Sequence, residues 1–238
     1  MNIRQQLTAI SDHLIINASN LPDIGLYRGK MGIVLFFCQY ARYLQNPLYE
    51  DFAELLLEEI QEELHTLLPV TFDDGLCGIG WGIEYLIQHG FMEADSDEIL
   101  SDIDAKIMER DVRRISDYSL ETGLAGIIEY VSVRLASPTW GKERPRPFDS
   151  FYLKELEEAV YNWEKQYGNE KSKTNISNRF KEYVKNDFSH RLLPALPLSL
   201  YQNSDSFPDK NRDSNLGLEN GLAGTALKLI RNETHLYF

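Results

Sequence analysis

Carboxylate side chains are the first residues of this sequence that could do chemistry. Asp73 and Asp74 directly precede a glycine-rich segment, and Glu84 and Glu129 each stand shortly after the last glycine of such a segment. Two acids that face each other across a cavity can hydrolyse a glycosidic bond or drive an elimination, because one donates a proton while the other acts as base or nucleophile. A carbohydrate hydrolase or lyase is therefore one alternative. It requires these acids to converge in an open cavity of an α/α barrel.

Thiol and imidazole groups define a second candidate chemistry. The sequence has only two cysteines, Cys38 and Cys77, and Cys77 lies in a glycine-rich segment where His65, His89 or His190 could join it around zinc. No ligand spacing supports such a site, and cysteines outside CxxC or CxxH pairs are most often small buried residues. We therefore predict that the protein has no cofactor, with zinc as the alternative.

Aromatic and cationic side chains complete the candidate site. Four aromatic residues lie on or just after glycine-rich segments, and aromatic rings can hold a peptide or a sugar: Tyr27, Trp81, Tyr85 and Tyr130. Arg28 could face an anionic group. The predicted cavity lining comprises Tyr27, Arg28, Asp73, Asp74, Cys77, Trp81, Glu84, Tyr85 and Glu129.

Four copies of one glycine motif must position these side chains. They cover residues 25–33, 75–83, 119–127 and 217–225, and their last glycines, at 32, 82, 126 and 224, lie 50, 44 and 98 residues apart. Self-similarity at about 40–50 residues is typical of helical repeats, in which a unit cannot bury its apolar face alone. The motif glycines are Gly25, Gly29, Gly32, Gly75, Gly82, Gly123, Gly126, Gly217, Gly221 and Gly224.

The glycines have two predicted roles. The first glycine of a copy (Gly25, Gly75 and Gly217) suits a turn at positive φ. The later glycines share one face at a helix start and let neighbouring helices approach closely. Because glycine within a helix costs about 1 kcal/mol relative to alanine, repeated glycines indicate a packing requirement.

Amphipathic segments alternate with apolar ones along the chain. Before the motifs, apolar residues recur every three or four positions, whereas the segments after the motifs, such as residues 33–38, are apolar nearly all round. This alternation predicts an all-α fold, an incomplete α/α toroid with a double ring of helices in which the glycine-motif helices are the inner ones. We expect one domain over residues 1–238, two further helices near 151–168 and 176–188, and loops at 138–150 and 193–216.

The charge is unevenly distributed. The net charge of −13 combines 9 basic and 23 acidic residues in 1–137 with 15 and 14 in 138–238. An acidic first half opposes nucleic acid binding and favours a cationic partner. No apolar run reaches the roughly 18–20 residues that cross a bilayer, and no signal peptide begins the sequence, so we expect a cytoplasmic protein.

The motif Gly-Leu-x-x-Gly-x-x-Gly-Ile at helix starts resembles the lanthionine synthetase C-like family. That resemblance implies an α/α toroid and, for the bacterial cyclases of the family, addition of a peptide cysteine to a dehydrated serine or threonine at a zinc ion. The zinc ligands include an adjacent pair in Cys-His-Gly. This sequence contains neither Cys-His-Gly nor Trp-Cys-x-Gly, and it has about five repeat lengths where six or seven are usual. The resemblance therefore carries no zinc ligand to any residue here.

The function we expect is that of a divergent, metal-free member that binds a peptide or a peptide-modifying enzyme in lantibiotic-type peptide maturation. The alternatives are an active thioether-forming cyclase with unusual metal ligands and the carboxylate-dependent enzyme described above. Whether the protein is an enzyme stays open at this point. An incomplete ring would expose apolar inner helices, which favours association of chains into an oligomer.

Overall fold

The regular secondary structure is helical. The computed structural model describes residues 2–137, 146–167, 171–185, 194–195 and 215–234. Nine α-helices and no strand occur in these ranges, so the predicted all-α class is confirmed. The helices are α1 (Ile3–Asn17), α2 (Lys30–Leu44), α3 (Leu48–Glu63), α4 (Leu76–Gln88), α5 (Ser96–Met108), α6 (Leu124–Leu135), α7 (Ser150–Tyr167), α8 (Lys171–Val184) and α9 (Leu222–Thr234).

The helices belong to two compact units. Unit 1 combines Met1–His65 with Ala195–Phe238, and unit 2 is Thr66–Pro194. The closure of a toroid and the single domain over 1–238 stay predictions. The predicted loops at 138–150 and 193–216 lie outside the described residues, apart from 146–150, 194–195 and 215–216. None of the helices in the described ranges is both long enough and apolar enough to span a membrane.

In each unit, buried helices pack against amphipathic ones. In unit 1, α2 packs against α3 and α9, and α1 packs against α9; in unit 2, α4 packs against α5 and α6, and α8 packs against α6 and α7. The helices α2, α4 and α6 are buried along most of their length, whereas α3 buries only Ala53, Leu56 and Ile60. The predicted alternation of buried helices with amphipathic helices, which expose one face to solvent, is therefore confirmed.

The motif turns correct the predicted alignment of the repeats. The helices α2, α4 and α6 have N-caps at Gly29, Gly75 and Gly123, and α9 begins directly after Gly221. These positions are 46, 48 and 98 residues apart, so the repeat is more regular than the sequence alignment indicated. In the second copy, Gly75 corresponds to Gly29 and not to Gly25, and Gly78 takes the place that the alignment gave to Gly82.

The expectation of positive φ at the first glycine is wrong. Among the described residues, Gly90 is the glycine with positive φ, at 68°. The cap glycines are needed because space is lacking: a Cβ on Gly75 would lie 2.2 Å from the Pro69 oxygen, and one on Gly123 would lie 2.4 Å from the Asp117 oxygen. Gly80, which belongs to no motif position, makes room for a tyrosine, because a Cβ there would lie 2.5 Å from the Tyr130 ring.

Neighbouring motif turns are joined by the same backbone contact in both units. In unit 2 the amides of Phe72 and Asp73 donate to the Glu121 oxygen at 2.8 and 3.0 Å. In unit 1 the amides of Leu218 and Glu219 donate to the Tyr27 oxygen at 2.7 and 2.9 Å. The last motif of the chain thus contacts the first as the second contacts the third.

The third motif glycine receives the neighbouring turn. A Cβ on Gly126 would lie 2.6 Å from Phe72 Cβ, and a Cβ on Gly32 would lie 2.7 Å from Leu218 Cγ. These distances are far below van der Waals contact, so only glycine admits the neighbour. The predicted close approach at the later glycines is confirmed at these two positions.

An Asp or Asn six residues before the cap glycine shapes three of the four turns. Its side-chain oxygen accepts the amide two residues ahead: Asp23 from Gly25 at 2.8 Å, Asp117 from Ser119 at 2.9 Å, and Asn215 from Gly217 at 3.0 Å. This is the Asx turn, in which a short polar side chain replaces a backbone acceptor. The second copy has Pro69 at this position instead.

Candidate functional site

Three of the predicted site residues reach solvent at the motif turns. Arg28 is exposed, and Asp73 and Asp74 are half-buried directly before the Gly75 cap of α4. Their negative charge suits this position, because the N-terminus of a helix carries a partial positive charge. Tyr27, beside Arg28, is buried.

The predicted aromatic residues of unit 2 form a packed column. Trp81 meets Phe72 edge-on with ring centroids 5.8 Å apart, and Tyr85 stacks on Trp81 at 5.4 Å and on His89 at 4.0 Å. Trp81 and Tyr85 are fully buried. Such contacts stabilise a core without any ligand, so packing within unit 2 accounts for these two residues. Their role in lining a cavity stays a prediction.

Glu84 lies in a buried charge cluster centred on Arg134. The Arg134 Nη1 atom is 3.2 Å from Glu84 Oε2, and its Nη2 atom is 2.6 Å from Asp104 Oδ2 and 3.0 Å from Asp97 Oδ1. Arg134 and Glu84 are inaccessible to solvent. Gln88 also donates to Glu84, at 2.8 Å, so both carboxylate oxygens of Glu84 have partners.

Burial in this cluster perturbs the titration of Asp104 and Tyr130. Burial raises the pKa of Asp104 above its ordinary value, and hydrogen bonds from Arg134 and Tyr130 oppose that shift without cancelling it. The Tyr130 hydroxyl donates to Asp104 at 2.6 Å, and burial also raises the pKa of this tyrosine. One guanidinium therefore serves three carboxylates, of which Glu84 and Asp104 are buried and Asp97 is partly exposed, and removing it would leave buried charge without compensation.

Glu129 has a separate arginine. Arg179 of α8 donates to Glu129 of α6 through its Nη2 atom. Burial raises the pKa of Glu129, while the Arg179 charge and the Trp81 indole act in the opposite direction. Glu129 is thus a buried acid that links α6 to α8.

The two glutamates are not presented together as a reactive pair. Glu84 is closed to solvent and fully engaged by Arg134 and Gln88, and Glu129 is engaged by Arg179. A glycosidase needs one carboxylate in contact with the sugar and the other beside the leaving group. The described contacts instead assign both glutamates to ion pairs inside unit 2.

The cysteines are buried thiols. Burial raises the pKa of Cys38 to about 12, and burial together with the Asp104 charge raises the pKa of Cys77 further. Zinc binds the thiolate, and a thiol that resists deprotonation is a poor ligand. Within the part of the chain that the structure describes, no three His, Cys, Asp or Glu side chains come together as a metal ion would require. The described residues do not fit the zinc of the cyclases; His190 lies outside them.

The arginines were missed by the sequence analysis. Arg134 follows Glu84 by 50 residues, and Arg179 follows Glu129 by 50 residues. That separation is close to one repeat, and the partners lie on α4 and α6 in the first pair and on α6 and α8 in the second. An acid and an arginine one repeat apart were the signal that could have revealed both ion pairs; Arg134 lies on the apolar α6, whereas Arg179 lies on the polar α8.

Comparison with known proteins supports one family. The sequence model described as lanthionine synthetase C-like protein matches residues 22–190, which is more than two thirds of the chain. The matched range contains the first three motifs, the Arg134 cluster and α8. A search of curated proteins finds no match to the chain.

Proposed function

The chain belongs to the lanthionine synthetase C-like family, and on that basis we propose that it is a metal-free member that binds a peptide, or the enzyme that modifies this peptide, during ribosomal peptide maturation. We place this function in the cytoplasm, where precursor peptides leave the ribosome. The single observation that carries the metal-free part is the state of Cys77. Its thiol is inaccessible to solvent, and its pKa is raised by burial and by Asp104.

Thioether formation needs an activated sulfur. In a ring closure the peptide thiol adds across the double bond of a dehydrated residue, with the proton moving from sulfur to carbon, and a metal ion accelerates this step by lowering the pKa of the thiol. The only cysteines of this chain are buried thiols, and the described side chains offer no alternative set of three metal ligands. We therefore assign the protein to binding and not to ring closure.

Contact with the peptide is assigned to the solvent-reaching members of the predicted site. Asp73 and Asp74 lie at a motif turn of unit 2, and Arg28 lies at a motif turn of unit 1; at either turn a peptide can reach these side chains without disturbing the core of that unit. The other predicted side chains are buried and act through packing or ion pairs. Replacing these solvent-reaching turn residues should therefore change binding without changing the fold.

A dehydrated peptide tests this function directly. The probe is a fluorescent synthetic peptide with one dehydroalanine, one cysteine and two lysines, and its free thiol is counted by alkylation and mass measurement. We expect saturable binding of the peptide, and weaker binding to the Asp73→Asn/Asp74→Asn variant. After incubation the peptide thiol should still be free and react fully with the alkylating reagent. The matched control is Glu98→Gln/Asp102→Asn, which removes two exposed acids from α5. Loss of the alkylable thiol at unchanged mass, faster than in the peptide incubated alone, would show catalysed ring closure and contradict the proposal, as would a folded chain with no affinity for the peptide.

A further inference from the structure

The outward surface of α3 combines apolar and acidic side chains. Leu48 and Leu55 are 64% and 56% exposed, although leucine is a residue that folding normally buries. They are seven residues apart, so they lie on one side of the helix about 10 Å from each other. We define the α3 face as Leu48, Asp51, Glu54, Leu55, Glu58 and Glu62, all of which are exposed.

The charge of α3 is of one sign. The helix carries seven carboxylates and no lysine or arginine. Glu59 and Glu63 share one ion-pair partner, Lys30, whose Nζ atom lies 2.9 and 2.8 Å from their carboxylate oxygens. The carboxylates of the α3 face have no ion-pair partner among the residues that the structure describes. The α3 face therefore presents four uncompensated negative charges around two exposed leucines.

This combination selects the chemistry of an occupant. A negative surface repels nucleic acid and anionic lipid. Exposed leucines on such a surface indicate a partner with apolar side chains that can bury them. An amphipathic helix with lysine or arginine beside its apolar stripe can cover the leucines and pair with the flanking carboxylates in one contact. The spacing of seven residues between Leu48 and Leu55 matches two turns of such a helix.

The chain itself does not present a matching helix in its described parts. The most basic described helix is α8, and its Arg179 and Lys181 are already in ion pairs with Glu129 and Glu164. The exposed Phe151 and Tyr161 of α7 are accompanied by more acidic than basic side chains on that helix. A second copy of this chain is thus a poorer match to the α3 face than a basic segment of another polypeptide.

We propose that the α3 face is a docking surface for a basic amphipathic helix of another polypeptide. The inference goes beyond the proposed function, because the α3 face contains none of the residues assigned to peptide contact and needs neither a dehydrated peptide nor a cysteine. The binding free energy of the complex should come from burial of Leu48 and Leu55, and the surrounding carboxylates should set the orientation of the bound helix.

A synthetic helix tests the surface in the full-length chain. The probe is a fluorescein-labelled 18-residue peptide of leucine and lysine arranged to give one apolar stripe, and a peptide of the same composition in scrambled order is its control. We expect micromolar binding that weakens with salt, and scrambling should raise the Kd about tenfold or more. Two double variants should each raise the Kd by a similar factor. Leu48→Ser/Leu55→Ser removes the apolar contact, and Glu58→Gln/Glu62→Gln removes two of the carboxylates that pair with the peptide lysines.

The matched control lies on α5. Ile99 is 42% exposed beside Glu98 and Asp102, so Ile99→Ser removes an exposed apolar side chain, of smaller area than the two leucines, and Glu98→Gln/Asp102→Asn removes the same charge from another acidic helix. These variants should leave the Kd unchanged within about twofold. All the substitutions are at exposed sites, and thermal unfolding of each variant checks that the fold is kept.

Several outcomes would overturn the inference. Equal weakening by the α5 and α3 variants would mean that the acidic protein attracts any cationic peptide. Equal binding of the ordered and scrambled peptides, or no binding, would show that the α3 face does not recognise an amphipathic helix. A dimer of the chain that dissociates on Leu48→Ser/Leu55→Ser would assign the α3 face to a second copy. The probe has no cysteine and no dehydrated residue, so its failure leaves the proposed function standing, and failure of the dehydrated peptide leaves the docking surface standing.

Discussion

The same pattern of backbone hydrogen bonds joins two motif turns in each unit. In unit 1 it joins the first and last motifs, and in unit 2 it joins the second and third. In both, one turn oxygen, of Tyr27 or of Glu121, accepts two consecutive amides of the neighbouring turn, and a glycine receives the neighbouring apolar side chain. The helices behind these contacts differ. Unit 2 buries a cluster of charges around Arg134, whereas the main charged contact of α2 in unit 1 is Lys30 with two partly exposed glutamates of α3.

The difference separates what the motif requires from what it tolerates. The glycines and the turn hydrogen bonds recur because the close approach of two turns needs them. The residues further along each helix are free to be apolar or charged, provided that every buried charge has a partner. The motif therefore reports the fold, and the variable helix positions are where members of a repeat family can differ.

Removal of Arg134 should produce the largest difference between the units. Arg134→Met leaves Glu84 and Asp104 buried without a counter-charge, and we expect it to lower the free energy of unfolding by about 3–5 kcal/mol in urea titrations. Cys77 and Cys38 can report the two units separately by thiol labelling, because both are buried. Labelling of Cys77 should accelerate more than labelling of Cys38.

Lys106→Met is the control for this substitution. It breaks the ion pair with Glu109, which is on the surface, and should leave both labelling rates unchanged. A variant at Arg134 as stable as the wild type would mean that the cluster is not closed to water.

Filling the shared glycine position should affect both units to a similar extent. Gly126→Ala and Gly32→Ala each place a Cβ 2.4 Å from a carbonyl oxygen of their own turn and against the neighbouring turn. We expect a loss of about 1–3 kcal/mol from each, measured by urea unfolding. In a double-mutant cycle, Leu218→Ala should partly offset Gly32→Ala, because the clash with Leu218 involves a side chain. No loss at either glycine would show that the turns can separate without cost.

The response to pH should have opposite sign at the two charged contacts. Because burial raises the pKa of Asp104 above 3.8, its contribution to stability is full below that value and is lost as pH rises through its folded pKa. Burial also favours the neutral form of Glu59, but Lys30 and Ser19 outweigh this and hold the pKa of Glu59 below 4.5. Its contribution is therefore present above 4.5 and is lost as pH falls through its folded pKa.

Two variants measure this difference. As pH falls through the folded pKa of Asp104 towards 3.8, the stability of the wild type relative to Asp104→Asn should rise. Its stability relative to Glu59→Gln should fall as pH drops below about 4.5. Urea unfolding at several pH values gives both trends, and trends of the same sign would contradict the assigned environments.

Helix periodicity predicted much of the fold because it depends on local residue patterns. The expected helices near 151–168 and 176–188 correspond to α7 at Ser150–Tyr167 and α8 at Lys171–Val184. The predicted alignment of the second motif with the other copies was wrong, because this segment has four closely spaced glycines, Gly75, Gly78, Gly80 and Gly82, that allow more than one alignment. Gly80 is explained by the distant Tyr130 ring, and such a contact is invisible in a local pattern.

The candidate site was less predictable than the fold. The sequence showed that Glu84 and Glu129 lie on apolar segments, but their chemistry depends on arginines one repeat further along. The state of Cys77 likewise depends on its burial and on the charge of Asp104, which lies on another helix. Residue type gave the list of candidates, and only tertiary packing distinguished exposed turn residues from buried ion pairs.

The metal content of the purified, tag-free chain tests the central claim most directly. Elemental analysis after dialysis against a weak chelator should find no stoichiometric zinc, because both thiols are buried and protonated and the described residues do not fit the ion. Cys77→Ser should leave the metal content unchanged. Stoichiometric zinc that is lost on Cys77→Ser would contradict this account and would return the chain to the zinc-dependent cyclases.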